Sequence, residues 1–190
     1  SNVEIVSINN KLQAYDNVDM IYILEKRENE FFISLNERGV ILEYCKIRNK
    51  ELAQLYFAIF VKRGVTDFEF PLMTLTNDIE DIEILKEYLT REKLDDFYSV
   101  DSRVKGKINF SSELNKIYYI DASDNEYNLF SLPNRLFQTF YASIVKLKTI
   151  KEWLIQLNDA NGLGDQYEAT LLGYSLEGLI RSELFVIKEK

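Results

Sequence analysis

The chain has 190 residues, 46% of them apolar, which is enough for one ordinary domain with a sizeable core. Its 31 Asp and Glu against 23 Lys and Arg leave a net charge of −8, opposite to the basic balance that phosphate-backbone binding uses, so direct nucleic-acid binding is disfavoured. Histidine is absent and Cys45 is the only cysteine, which excludes Ser-His-Asp and Cys-His nucleophiles, a cysteine zinc cluster and an internal disulfide.

Residues 3–8 and 20–25, rich in Ile, Val and Tyr, predict strands. Residues 31–35 and 40–47 continue the pattern beyond the polar turns Lys26-Arg27-Glu28-Asn29 and Asn36-Glu37-Arg38-Gly39, which predicts an antiparallel meander. Asn49 is placed to cap a helix running to about Arg63, with Leu52, Leu55, Tyr56 and Ile59 on one face and Gly64 as its C-terminal stop. Residues 65–75 return to extended chain, and Asn77 is placed to cap a second helix whose buried stripe is Ile79, Ile82, Leu85 and Leu89. Residues 107–110, 117–121 and 127–131 predict three more strands, after which Pro133 opens a long helix with Phe137, Phe140, Ile144, Leu147 and Leu154 inward. Residues 167–174 and 184–188 predict closing strands. The expected class is α+β, mainly antiparallel strands packed with two or three helices.

Only two prolines and seven glycines are spread along the chain and no low-complexity stretch interrupts it, so residues 1–190 are expected to form a single domain. The longest apolar run, Tyr56 to Val61, is far short of the roughly 20 residues of a membrane-spanning helix. No basic stretch followed by an apolar one marks a secretion signal, and the lone cysteine fits a reducing compartment, so the expected location is the cytoplasm. The stretch from Ile21 to Phe31 can be laid on that from Ile117 to Tyr127 with four identities, and a duplicated meander-plus-helix unit would produce this. Two hairpins converging on similar turn chemistry would produce it too, and that is the favoured reading.

The remaining chemistry is carboxylates and aromatics. The acid-to-Lys spacings Glu43–Lys46 and Glu83–Lys86 are looser than a nuclease site requires, and the helical period turns Ile84 and Leu85 toward packing and Glu83 toward solvent. Cys45 lies in the apolar strand context Leu42-Glu43-Tyr44-Cys45, expected of a buried structural thiol. Gly162 and Gly164 sit in a loop without the Gly-Lys-Ser/Thr of a phosphate cradle, so a turn is expected there. No catalytic, cofactor-binding or metal-binding set is assigned, and a non-enzymatic role is expected.

Charge is concentrated. Between Asn77 and Asp101 nine acidic residues stand against three basic ones, a net −6 in one segment. Asp78, Glu80, Asp81, Glu83 and Glu87, with Tyr88 beside them, are the candidate partner-binding residues, with Glu80, Glu83 and Glu87 expected on one helical face. Tyr88, Tyr98 and Tyr167, next to acids, are candidate surface anchors, although half-buried packing is the commoner fate of such residues.

In size, acidity, want of histidine and lack of a catalytic pattern, the chain resembles the small, acidic, Ile-, Asn- and Tyr-rich bacterial immunity proteins of contact-dependent growth inhibition and related polymorphic toxin systems. The resemblance is one of type, not of motif. It implies a protein that binds a basic toxin domain, often a nuclease, and covers its active site, with no cofactor. An enzyme or small-ligand carrier whose carboxylates and tyrosines converge only in the fold is the alternative. A nucleic-acid mimic ranks third, because net −8 with 23 interspersed basic residues falls short of the charge density of a duplex.

Overall fold

The computed structural model describes residues 3–15, 20–71, 76, 79, 81–129, 131–157 and 171–172. The class is α+β, with a five-stranded antiparallel sheet, a four-stranded mixed sheet and the helices α1 to α3 bounded among the described residues. The chain divides into two compact units, one holding the described residues up to Asp67 and one holding those from Phe68 on.

In the first unit, β1 (Glu4–Ile8), β2 (Lys11–Tyr15), β3 (Met20–Arg27), β4 (Glu30–Glu37) and β5 (Val40–Ile47) pair in chain order as a meander. The turn between β4 and β5 is the two-residue pair Arg38-Gly39, with φ of 51° and 88°. Two positive φ values are what a primed hairpin turn demands and what a right-twisted ladder accepts, and the Asn36 side chain closes the turn by accepting from the Gly39 amide at 2.9 Å. Between Ile33 and Ser34 the pairing slips from Cys45 to Glu43, leaving Tyr44 as the extra residue of a β-bulge. The bulge turns the Tyr44 ring onto Phe60, 4.6 Å between centroids, where it is buried.

The helix α1 (Lys50–Val65) begins as expected, Asn49 accepting from the Leu52 amide at 2.8 Å. Its buried residues are Ala53, Tyr56, Phe57, Ile59, Phe60 and Val61, while Leu52 and Leu55 are only half-buried, so the packed face is rotated from the expected stripe. Gly64 is a correction as well. It lies inside the helix rather than ending it, and the place a β-carbon would occupy is taken by the Tyr22 hydroxyl. The glycine therefore serves close approach of helix to sheet, and Thr66, whose hydroxyl donates to the Lys62 carbonyl at 2.6 Å, follows the last turn.

In the second unit, α2 (Ile82–Arg91) starts later than expected. Asp81 is its cap, accepting from the Glu83 amide at 2.9 Å, while Asn77 lies outside the described residues and Ile79 precedes the helix. Leu85 and Leu89 are fully buried, but Ile84, expected toward packing, is 46% exposed. The helix ends in a Schellman arrangement: Leu94 N donates to Leu89 O, Lys93 N donates to Thr90 O, and Lys93 holds the left-handed position at φ 57°.

Then β6 (Tyr98–Val100) pairs parallel with β7 (Ile108–Ser111), and β8 (Lys116–Ile120) and β9 (Glu126–Leu129) continue antiparallel. Pro133 opens a short 3-10 turn that leads into α3 (Leu136–Gln156). Phe140, Ile144, Leu147 and Leu154 are buried as expected, with Tyr141, Ile150 and Trp153 added. Phe137 is half-buried against Phe110, at 5.7 Å. Leu171 and Leu172 are buried and helical rather than extended, and the rest of the two closing strands lies outside the described residues.

The two similar stretches are both hairpins, but of different build. Arg27 pairs with Glu30 across a two-residue turn, whereas the residue matching Glu30, Glu126, pairs with Ile120 across a five-residue loop. Asp121 organises that loop, accepting from the Asn125 amide, the Asn125 side chain and the Tyr127 hydroxyl at 2.8–2.9 Å. Burial opposes its charge, yet those hydrogen bonds hold its carboxyl below the usual range. The difference in loop and register favours convergence over duplication.

Candidate functional site

Two features of the second unit gather polar chemistry. The first is α2 with the turn that follows it. Asp81, Glu83, Glu87, Glu92, Asp95 and Asp96 are all exposed. Asp81 caps the helix, and Glu83 stands in its first turn, where a carboxylate is favoured by the helix dipole. Glu83 and Glu87, four apart, share one face. Glu83 is paired with Lys86 at 2.8 Å, and no other acid of this set has an ion pair among the described residues. Tyr88 is half-buried, with the Arg91 guanidinium 5.2 Å from its ring centroid. Of the six candidate residues, the structure thus brings Asp81, Glu83, Glu87 and Tyr88 together on one short helix. Asp78 and Glu80 lie outside the described residues, as do Tyr167, Gly162 and Gly164. Tyr98 is half-buried, edge-on to Phe140 at 5.9 Å.

The second feature is a cleft of about 390 Å³ lined by Asp101, Ser102, Arg103, Ser111, Ser112, Glu113 and Tyr118. Strand alternation explains its floor. Phe110 points to Phe137 and Phe140 of α3, so Ser111, one residue on, faces the opposite side, as does Tyr118, one residue beyond buried Ile117. The parallel pairing of β6 with β7 brings Asp101 alongside, its amide donating to Phe110 O and its carboxylate accepting from the Ser112 amide at 2.7 Å. The connection from β6 to β7 is fastened by fully buried Asn109, which accepts from the Val104 amide and donates to the Val104 and Lys107 carbonyls. Arg103 is turned toward the β8–β9 loop, where its guanidinium donates to the Asp124 side chain and carbonyl.

Cys45 is half-buried in β5, and burial pushes its thiol up to about 12, far from a reactive thiolate. Among the described residues no three metal-ligating side chains come together, and no helix is long and apolar enough to cross a membrane. The acidic helix was visible in the sequence. The cleft was not, because its residues span two connections and are joined only through the β6–β7 pairing. Compared with family models, with curated proteins and with solved structures, the chain matches none.

Proposed function

We propose that this protein is a non-enzymatic acidic inhibitor: an immunity protein that neutralises a basic bacterial toxin domain, a nuclease in the simplest case, by covering its active site. The observation that carries the reading is the run of exposed carboxylates on α2 and its following turn, five of the six without an ion pair among the described residues. Such a surface attracts a cationic cleft at long range and raises the association rate. Half-buried Tyr88 adds apolar area beside the charge, the kind of residue that slows dissociation.

A reducing, cytoplasmic location belongs to the same proposal, since an immunity protein meets its toxin inside the cell it protects. The cleft beside Tyr118 supports a second reading, a small-ligand carrier, because its volume falls within the range of about 300–1,000 Å³ typical of ligand sites.

The deciding experiment is co-purification from the native host with the products of neighbouring genes expressed. A stoichiometric basic partner whose toxicity disappears in the complex supports the inhibitor. Charge reversal of Glu83 and Glu87 together should then slow association by about tenfold or more and flatten its salt dependence. Emergence alone, or with a small molecule, overturns the inhibitor in favour of the carrier.

A further inference from the structure

We propose that two copies of this chain join through β1, edge to edge, so that their five-stranded sheets run on as one. The contact is separate from the acidic helix and does not depend on what that helix binds.

β1 is the outermost strand of its sheet and pairs only with β2 among the described residues, so its other side presents a row of backbone N–H and C=O groups. Such an edge is ordinarily blunted by lysine, proline or a bulge. β1, Glu4-Ile5-Val6-Ser7-Ile8, has none of these, and its Ile5 and Ile8 are 61% and 48% exposed, one on each face of the sheet. The outer strand at the far side, β5, is guarded instead. A bulge at Tyr44 breaks its run, and Glu43 and Lys46 stand on it in ion pairs with Arg27 and Glu30.

Charge and register select a second copy as the occupant. Residues 1–67 carry ten acids and nine bases, whereas residues 68–190 carry twenty-one and fourteen, so the excess that would drive copies apart does not belong to the part of the chain that holds β1. A two-fold axis at Val6 pairs all five residues antiparallel, Glu4 with Ile8, Ile5 with Ser7, and Val6 with its own counterpart. No like charges are opposed.

Ile8 already lies opposite Lys11 of β2, so Glu4 of one copy comes onto the same face as Lys11 of the other, two strands or about 10 Å away. Two long side chains span that distance, and the axis makes the pair twice. Lys11, 3.2 Å from Glu25, keeps 43% of its side chain exposed for a second acid. On the other face each Ile5 meets a neighbouring strand in place of water.

Analytical ultracentrifugation of the full chain over about 1–500 μM should show a monomer–dimer equilibrium. Ile5→Lys should weaken the dimer about tenfold, because the substitution acts twice across the axis, with the circular dichroism spectrum unchanged. Leu114→Lys, at an equally exposed apolar residue between β7 and β8, should leave it as it is. Glu4→Lys should weaken the dimer, and adding Lys11→Glu should restore it. Hydrogen exchange should show the β1 amides becoming protected as concentration rises. A chain that stays monomeric throughout, a dimer that Ile5→Lys leaves unweakened, or concentration-dependent protection that spares β1 would each overturn the proposal.

Discussion

Replacing Gly64 with alanine separates two roles that glycine can play near a helix end. At an ordinary helical position the change gains about 0.5–1 kcal/mol, because alanine loses less backbone freedom on folding. At Gly64 the new β-carbon would fall on the Tyr22 hydroxyl, 2.5 Å from Cζ and 2.9 Å from Cε1. Tyr22 has nowhere to go. It is 3% exposed and stands edge-on to Phe60 at 5.4 Å, and Phe60 is itself packed against Tyr44. Overpacking of this kind costs about 1–3 kcal/mol. Set against the propensity gain, the net expectation is a loss of about 1–2 kcal/mol, read as a lower urea midpoint at unchanged m-value by circular dichroism. Tyr22→Phe removes the nearest atom but leaves Cζ, so Gly64→Ala in that background should recover about 0.5–1 kcal/mol relative to additivity. A Gly64→Ala variant as stable as the parent, or more so, would refute the close-approach account and restore Gly64 to a solvent-facing helix end.

Two further outcomes follow from local geometry. Lys93 holds a left-handed φ of 57° at the end of α2, a strain of about 1–2 kcal/mol that glycine would relieve at some cost in unfolded-chain entropy, so Lys93→Gly should stabilise by about 0.5–1 kcal/mol in thermal or urea unfolding. The Asp121 carboxyl is lowered below its usual value near 3.8, so its contribution is complete above the unfolded value and is lost as pH falls through the lower folded value. Asp121→Asn should therefore destabilise by about 1–3 kcal/mol at neutral pH and flatten the acid limb of the stability profile below about pH 4; an acid limb with the parent's slope would contradict this.

What could be read from the sequence follows the strength of its local signals. β5 was placed with its observed bounds and β3 and β4 to within two residues, because Ile, Val, Phe and Tyr cluster there between polar turns. β2 was missed: Lys-Leu-Gln-Ala-Tyr offers one alanine and two polar residues in five, and its place in the sheet comes from its neighbours. β6 was missed because three residues pairing in parallel leave no period to find. For α1 the presence and the cap were readable but the buried face was not, since Tyr56, Phe57, Ile59, Phe60 and Val61 make the helix apolar most of the way round. For α2, Asn77 and Asp81 are both competent caps in composition, and the hydrogen bond to the Glu83 amide places the start at Asp81.

The same limit governs the site. Acids at Asp81, Glu83 and Glu87 are adjacent in sequence and adjacent on the helix, so a count along the chain finds them. Asp101 entered that count as the last member of the same acidic segment, yet its bond to the Ser112 amide, eleven residues away, places it on the cleft with Glu113. One run of charge in the sequence is thus divided in the fold between the α2 segment and the edge of the cleft, where Asp101 stands. Carboxylates standing out in solvent act at a distance and govern association, so their removal is felt in the on-rate and its salt dependence. Asp101 is off that helix and tied to the Ser112 amide, so Asp101→Asn serves as the contrast: it should leave the on-rate of a basic partner within about twofold. Surface plasmon resonance at two salt concentrations separates the two cases, and a common on-rate effect from both would mean that the segment acts as one undivided acidic patch.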